Sequence, residues 1–122
     1  MDNVLTGKII ECAINVHREL GPGLLESTYE QCLAYEFNLK GINYFDQVSL
    51  PVIYKGNKID CGYRIDMLVE NKVIVELKSV ERFEPIHTAQ LMTYMKLANI
   101  NLGLLINFNV KLLKDGIKRI VF

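Results

Sequence analysis

The amino-acid sequence predicts an α/β protein in which helices pack against a mixed β-sheet. Apolar residues recur at helical spacing as far as Lys40, and beyond that point the apolar period changes to two. A later helical segment is followed by a continuously apolar stretch of strand length. The predicted order of elements is ααβββαββ, and packing the helices on the sheet buries the apolar faces of both.

Two helices are predicted at the start of the chain. The first carries apolar residues about one helical turn apart, which are Ile9, Ala13, Val16 and Leu20. The run Gly-Pro-Gly at 21–23 ends this helix. The second carries apolar residues at every fourth position, which are Leu25, Tyr29, Leu33 and Phe37. Gly41 stops it, because glycine readily adopts the left-handed conformation found at helix C-termini.

Alternation of apolar and polar residues then predicts a three-stranded meander. Its strands cover residues 48–54, 59–69 and 73–79. Gly56 and Asn57 are the predicted tight turn of the first hairpin. These strands supply the βββ part of the predicted order.

The remaining elements are one helix and two strands. Pro85 suits the first turn of a helix that runs from about Ile86 to Ala98. Residues 102–108 are continuously apolar, as expected of a strand covered on both faces. Residues 117–122 alternate again and predict an edge strand.

Composition indicates a single domain spanning residues 1–122, because 50% of the residues are hydrophobic, enough for one core. The 14 basic and 14 acidic residues cancel, so no overall field draws the chain to nucleic acid or to an anionic membrane. No apolar run approaches the roughly 20 residues that span a bilayer, and the first residues lack the pattern of a secretory signal. We therefore expect a cytoplasmic protein without a membrane partner. Cys12, Cys32 and Cys61 are predicted to be reduced core residues.

The strand that begins at Val73 contains two charged residues, Glu76 and Lys78. Because side chains alternate between the two faces of a strand, Glu76 and Lys78 share one face and the apolar Val75 and Leu77 share the other. Charged residues are rarely buried for stability. This face is therefore where function is expected.

The loop between this strand and the preceding one decides whether Asp66 meets Glu76. A two-residue loop at 70–71 sends the two carboxylates to opposite faces of the sheet. A three-residue loop at 70–72 sets Asp66 directly opposite Glu76. The three-residue loop is predicted because it also pairs apolar residues with one another: Val69 with Val73, Leu68 with Ile74 and Ile65 with Leu77.

Two carboxylates that face each other across neighbouring strands repel. The repulsion is offset either by a raised pKa on one carboxyl group or by a bound divalent cation, which prefers oxygen ligands. Lys78 lies one pleat beyond Glu76, where its ammonium group would lie beside a metal-bound water or a phosphate oxygen. Such an arrangement is typical of phosphoryl transfer.

Two segments resemble known signatures. RIDMLVENKVIVELKS, at residues 64–79, is similar to the Asp and Glu-x-Lys signature of the PD-(D/E)xK nuclease superfamily. GPGLLESTYE, at residues 21–30, contains Gly23, Glu26 and Tyr29 in the pattern that names the GxxExxY family. The resemblance covers nearly the whole chain, with one departure, because Ile65 stands where the superfamily's name has proline.

The resemblance implies an αβββαβ core, with the two N-terminal helices packed on the mixed sheet. It implies that Asp66 and Glu76 bind Mg²⁺, or Mn²⁺ in its place, and that Lys78 orients the attacking water. It further implies that Glu26 joins the metal ligands and that Gln90 belongs to the catalytic set.

Three functional hypotheses follow. The first is a Mg²⁺-dependent nuclease whose affinity for nucleic acid is weak alone, because the net charge is zero, and is supplied by a protein partner. The second is a non-catalytic module with a nuclease fold that acts through a protein or nucleic-acid partner. The third is a homodimer formed through the sheet edge, with incidental charges on the polar face.

Each candidate site residue also has a purely structural interpretation. Asp66 and Glu76 would be charges on a solvent-facing sheet surface, and Lys78 an ordinary surface lysine. Glu26 would only interact favourably with the N-terminal end of its helix dipole. Gln90 would lie on an exposed helix face together with Tyr94 and His87, rather than bordering the site.

Other polar or sulfur-containing residues are predicted to have structural roles. His17 is expected to be a hydrogen-bonded helix residue, and Met92 and Met95 are expected in the core. Four basic residues near the C-terminus are expected either to contact phosphates or to charge an edge strand against aggregation: Lys111, Lys114, Lys118 and Arg119.

Overall fold

The structure, a computed structural model, describes residues 3–122. Within these residues the α-helices are α1 (Asn3–Leu20), α2 (Glu26–Lys40) and α3 (Pro85–Ala98). The strands are β1 (Tyr44–Ser49), β2 (Val52–Tyr54), β3 (Asn57–Ile59), β4 (Arg64–Val69), β5 (Val73–Lys78), β6 (Leu102–Asn107) and β7 (Ile117–Val121). A short 3₁₀ helix, Leu113–Gly116, precedes β7.

Five strands form the main sheet, in the order β1-β4-β5-β6-β7. β5 and β6 run parallel, whereas the other neighbouring strands are antiparallel. β2 and β3 form a separate two-stranded sheet. The predicted α/β class with a mixed sheet is confirmed.

Helices cover both faces of the main sheet. α1 and α2 bury residues such as Ile9 and Leu33 in one apolar cluster with Val75 of β5. α3 buries Leu91 in a second cluster, with Ile74 on the other face of β5. Both clusters draw on β6, which is buried along its whole length, as its continuously apolar sequence predicts.

The predicted helix boundaries agree with the structure. α1 ends where Gly21 adopts a φ of 67° and donates its N–H to the carbonyl oxygen of His17 at 2.8 Å. α2 ends at Gly41, whose φ is 68°. Pro85 is the first residue of α3. These boundaries depend on local backbone chemistry, which is why sequence patterns predict them.

The predicted three-residue loop between β4 and β5 is also confirmed. Val69 pairs with Val73 and Leu68 with Ile74. The loop residues Glu70 and Asn71 have left-handed φ angles of 53° and 54°.

The predicted first hairpin is wrong in two respects. The strand predicted over residues 48–54 is divided between β1, which begins at Tyr44 and pairs with β4, and β2, which pairs with β3. The strand predicted over 59–69 is interrupted at residues 60–63. Alternation alone cannot separate these segments, because strand preference depends on which distant residues cover each one.

The tight turn between β2 and β3 is displaced by one residue from its predicted position. Tyr54 pairs with Asn57, so the turn residues are Lys55 and Gly56, whose φ angles are 50° and 81°. Two consecutive positive φ angles are typical of the turns that match the twist of a hairpin. The prediction of Gly56 and Asn57 as the turn is therefore wrong.

The three cysteines are free, but they do not all lie in the core. Cys12 is buried and Cys32 is half-buried, whereas Cys61 is exposed in the segment between β3 and β4. The core prediction for Cys61 is wrong because the strand predicted around it does not form.

β7 is an edge strand, as predicted. Lys118 donates to the hydroxyl oxygen of Thr88 at 3.0 Å, and Arg119 donates to the side-chain oxygen of Asn3 at 2.6 Å. These contacts favour the structural interpretation of both residues. Among residues 3–122, no helix has both the length and the apolar character needed to cross a membrane.

Candidate functional site

The backbone ladder between β4 and β5 ends at the pair Met67–Val75, immediately before the two predicted carboxylates. Beyond this pair, side-chain carboxylates instead of backbone carbonyls accept the hydrogen bonds of the backbone N–H groups. Glu76 Oε2 accepts a hydrogen bond from the N–H of Asp66 at 2.7 Å, and Asp66 Oδ2 accepts one from the N–H of Leu77 at 2.9 Å. The structure therefore brings Asp66 and Glu76 together, each bonded to the facing strand.

The separation of the strands at this point changes the side-chain alternation of β4. Ile65 packs in the cluster under α3, whereas Met67 and Leu77 pack in the cluster under α1 and α2. The predicted pairing of Ile65 with Leu77 is therefore wrong. Its physical reason is that the Leu77 N–H bonds to the Asp66 carboxylate instead of extending the ladder.

Glu76 is buried, with 5% of its surface exposed, so its interpretation as a solvent-facing charge is wrong. Burial, followed by repulsion from the Asp66 carboxylate, raises the pKa of Glu76 to about 8. Burial also raises the pKa of Asp66, against the opposing effect of its hydrogen bond from Leu77. The pair is thus costly to ionise fully without an added positive charge.

Lys78 supplies a positive charge to both carboxylates. It is the last residue of β5 and is half-buried. Its ammonium group is near enough to Asp66 and to Glu76 to lower the pKa of each. One lysine does not offset the burial of Glu76, whose pKa stays raised.

Glu26 is the first residue of α2, and Tyr29 holds the preceding loop in place. The Tyr29 hydroxyl donates to the carbonyl oxygen of Gly21 at 2.6 Å and accepts from the N–H of Leu24 at 3.1 Å. Ser79 Oγ, just beyond β5, donates to the carbonyl oxygen of Leu24 at 2.7 Å. The Glu26 side chain is exposed, yet its charge acts on Asp66 and raises the pKa of that carboxyl group.

Two residues near the site were not predicted from the sequence, Gln47 and Glu30. Gln47 Nε2 donates to Glu30 Oε1 at 2.8 Å and makes a longer contact of 3.5 Å with Asp66 Oδ1. Glu30 lies four residues after Glu26, and this i, i+4 spacing on one helix face is a signal that could have found it. Gln47 adopts a left-handed φ of 49° within β1, for which the sequence offers no signal.

Gln90 is connected to the candidate site by its hydrogen bond to Tyr94. Gln90 Nε2 donates to the Tyr94 hydroxyl at 3.0 Å. Tyr94 is buried, and its pKa is raised first by burial and next by the charge of Glu76. Gln90 and Tyr94 therefore border the site instead of lying on an exposed face.

Other candidates have structural roles. His87 Nδ1 accepts from the N–H of Glu84 at 3.0 Å, at the beginning of α3. His17 Nε2 donates to the carbonyl oxygen of Val110 at 2.8 Å, which confirms it as a hydrogen-bonded helix residue. Met95 is buried and Met92 is partly buried against the same cluster, as predicted.

A metal ion would have to be held by few protein ligands. In the part of the chain that the structure describes, no three or more His, Cys, Asp and Glu side chains are grouped to hold a metal ion. Glu26 therefore does not join Asp66 and Glu76 in such a group. The pair alone still fits Mg²⁺, which usually binds one or two carboxylates and keeps several waters.

A mixed sheet flanked by helices, with the buried Glu76 and the half-buried Asp66 beside Lys78, is consistent with a nuclease-like class of α/β protein. A family model described as the PD-(D/E)XK nuclease superfamily matches residues 3–120. The chain belongs to this superfamily, as its resemblance indicated. No curated protein and no solved structure matches the chain.

Proposed function

We propose that this protein is a Mg²⁺-dependent nuclease of the GxxExxY subfamily, with Mn²⁺ as the alternative ion. The observation that carries the proposal is the pairing of the half-buried Asp66 with the buried Glu76, whose pKa values are raised although Lys78 lies beside them. A divalent cation would offset the repulsion that one lysine leaves. Membership of the nuclease superfamily supports this reading.

In this proposal Asp66 and Glu76 hold the ion, which supplies positive charge and lowers the pKa of a bound water. Lys78 orients the attacking water and interacts with a non-bridging phosphate oxygen. Hydrogen bonds from the facing strands keep both carboxylates in position, so little reorganisation accompanies binding. Glu26 adds negative charge from the start of α2, and Gln90 orients Tyr94 at the border of the site.

The proposed reaction is hydrolysis of a phosphodiester. The water oxygen forms a bond to phosphorus while the bond from phosphorus to the leaving nucleoside oxygen breaks. The proton lost by water passes to solvent, and the leaving oxygen takes a proton from solvent. One phosphodiester and one water thereby give a phosphomonoester and an alcohol.

A cleavage assay with labelled single-stranded and duplex DNA and RNA tests the proposal. We expect cleavage with Mg²⁺, none with EDTA, and a loss of about 100-fold or more in Glu76→Gln. Glu81→Gln, at an exposed position just beyond β5, is the matched control and should cleave like wild type. Equal cleavage by wild type and Glu76→Gln would identify a contaminating nuclease and contradict the proposal.

Metal binding has a separate readout in thermal unfolding. Mg²⁺ should raise the melting temperature of wild type, because it binds the folded state. The same titration should leave Glu76→Gln nearly unchanged. An equal shift in both proteins would mean that the ion binds elsewhere.

The second candidate is a non-catalytic module that acts through a protein or nucleic-acid partner. It is favoured by the hydrogen bonds of the two carboxylates, because a role in joining β4 to β5 requires no ion. Under this candidate no nucleic acid is cleaved, whether or not Mg²⁺ raises the melting temperature. A homodimer formed through the sheet edge, a cytoplasmic location and a single domain over 1–122 remain predictions, and light scattering tests the dimer.

A further inference from the structure

Residues 51–63 form an arm that leaves the main sheet between β1 and β4. The arm contains β2, β3 and the segment 60–63. Its large apolar side chains are exposed, and they are Ile53, Tyr54, Ile59 and Tyr63. A two-stranded hairpin of this size is marginally stable alone. Exposed aromatic and apolar groups on it indicate a surface that receives a ligand.

The end of the arm nearest the sheet is held firmly, and it presents Tyr63. The N–H of Leu50, which is buried, donates to the carbonyl oxygen of Tyr63 at 3.0 Å. Asp60 Oδ1 accepts from the N–H of Gly62 at 2.9 Å, and Gly62 has a left-handed φ of 80°. The backbone at Tyr63 is therefore anchored while 43% of the residue stays exposed.

Tyr63 packs against Tyr94, a residue that borders the carboxylate pair. The two tyrosine rings are 6.0 Å apart between centroids and inclined at 60°. Tyr94 in turn lies near Glu76, whose charge acts on its hydroxyl group. One part of the Tyr63 ring is thus covered by Tyr94, and the exposed part is available at the edge of the site.

The charges of the arm complement a polyanion. Lys55 and Lys58 lie on the arm and Arg64 follows it, against one acidic residue, Asp60, which is 3.7 Å from Arg64. The neighbouring site is acidic, so a phosphate chain that crosses it requires cations close by. The arm supplies these charges together with aromatic rings, the combination that binds single-stranded nucleic acid.

We propose, building on the proposed nuclease function, that the arm holds a single nucleic-acid strand at the site, with Tyr63 stacked on a base next to the reacting phosphate. Lys55 and Lys58 contact phosphates further along the strand. Stacking on Tyr63 requires an unpaired base, since bases within a duplex are already stacked. The arm therefore makes this protein select single strands, or unpaired ends and flaps, over continuous duplex.

Binding to a labelled 12-nucleotide strand, measured by fluorescence anisotropy, tests this inference. The full chain with Glu76→Gln serves as the parent, so that cleavage does not interfere. Adding Tyr63→Leu should weaken binding about tenfold to a hundredfold, whereas Tyr63→Phe should preserve it. Tyr35→Leu, which removes an exposed tyrosine of α2, is the matched control and should leave the affinity unchanged.

Two further measurements distinguish stacking from general loss of structure. A 2-aminopurine base in the strand should lose fluorescence on binding the parent and not on binding Tyr63→Leu. Changing Lys55 and Lys58 to Gln should make the negative slope of log affinity against log salt shallower by about 1.4. The loss of 2-aminopurine fluorescence on binding should be unchanged. Circular dichroism should report the same fold for every variant.

Equal affinity of the parent and Tyr63→Leu, or equal affinity for single strand and duplex, would overturn the inference. So would a change of assembly state in Tyr63→Leu without a change in strand binding, because the arm would then contact a second copy. If wild type cleaves nucleic acid and Tyr63→Leu changes neither binding nor cleavage, the proposed role of the arm is contradicted and the nuclease function is not. If Tyr63→Leu weakens strand binding but wild type does not cleave, the proposed role of the arm is supported and the proposed nuclease function is contradicted.

Discussion

At the two ends of the β4–β5 pair, backbone N–H groups find different hydrogen-bond acceptors. At the loop end, Val69–Val73 and Leu68–Ile74 pair in a regular ladder between apolar side chains. At the other end, the carboxylates of Asp66 and Glu76 accept the backbone hydrogen bonds. The loop end therefore serves stability, whereas the other end brings the carboxyl groups of the buried Glu76 and the half-buried Asp66 together.

The difference has an energetic consequence. An apolar pair in the ladder gains free energy from burial without loss of a hydrogen bond. A buried carboxylate that replaces a ladder acceptor is also hydrogen-bonded, but burial raises its pKa and opposes its ionisation. The strand pair thus combines a stable end with an end whose contribution to stability depends on pH.

The largest expected effect is at the loop end. Ile74→Ala removes a fully buried side chain and should lower the free energy of unfolding by about 2–5 kcal/mol, through lost burial and a cavity. Urea denaturation measures it, and the loss should be the same at pH 6 and pH 7.5. Ile86→Ala, at a position that is 67% exposed, should change stability little. If both variants lowered the free energy of unfolding equally, burial at the loop end of the β4–β5 pair would not be a source of stability.

The next effect is at the carboxylate end and depends on pH. The pKa of Glu76 is raised from 4.5 to about 8 in the folded state. Between these two pH values the folded protein therefore keeps a proton on Glu76 that the unfolded chain has lost. Its stabilising effect is complete below about pH 4.5 and is lost as the pH rises through about 8. Between pH 6 and pH 7.5 the free energy of unfolding should fall by about 2 kcal/mol from this residue.

Glu76→Gln cannot ionise and should lose most of this pH dependence in the absence of divalent cations. Urea denaturation across this pH range measures the slopes, and Glu81→Gln should behave like wild type. Identical slopes in Glu76→Gln and wild type would show that Glu76 is not protonated in the folded state.

A third effect concerns the loop between the strands. Asn71→Val places a β-branched residue at a left-handed φ of 54° and should cost about 1 kcal/mol. Asn71→Gly should be tolerated within about 0.5 kcal/mol, since glycine adopts this conformation readily. Thermal unfolding compares the two. A neutral Asn71→Val would imply that the loop changes conformation without disturbing the register.

The smallest effect concerns the contact between β5 and the loop before α2. Ser79→Ala removes the hydrogen bond from Ser79 to Leu24 and should cost about 0.5 kcal/mol. Because this loop presents Glu26, cleavage should fall, though less than in Glu76→Gln. Ser49→Ala, at an exposed position of β1, is the control for stability and cleavage. Unchanged cleavage by Ser79→Ala would show that the position of the loop before α2 does not affect the reaction.

Sequence patterns predicted most of the fold and the centre of the candidate site. The register that brings Asp66 to Glu76 was predictable because the loop length and the apolar pairs at 68–69 and 73–74 agree on it. Superfamily membership was predictable from the Asp and Glu-x-Lys signature. Gln47 was not, because its left-handed backbone and its contacts with Glu30 and Asp66 join residues distant in sequence.

The helix ends, the loop register and the carboxylate pair follow from the chain alone, since each depends on neighbouring residues and a repeating apolar period. Three features were decided by tertiary structure: the opening of β4 from β5 beyond Met67, the division of the first hairpin into β1 and the arm, and the burial of Glu76. Each depends on which distant surfaces cover a segment. Side-chain periodicity carries no information about that competition, because burial is settled only when α2, α3 and the sheet pack together.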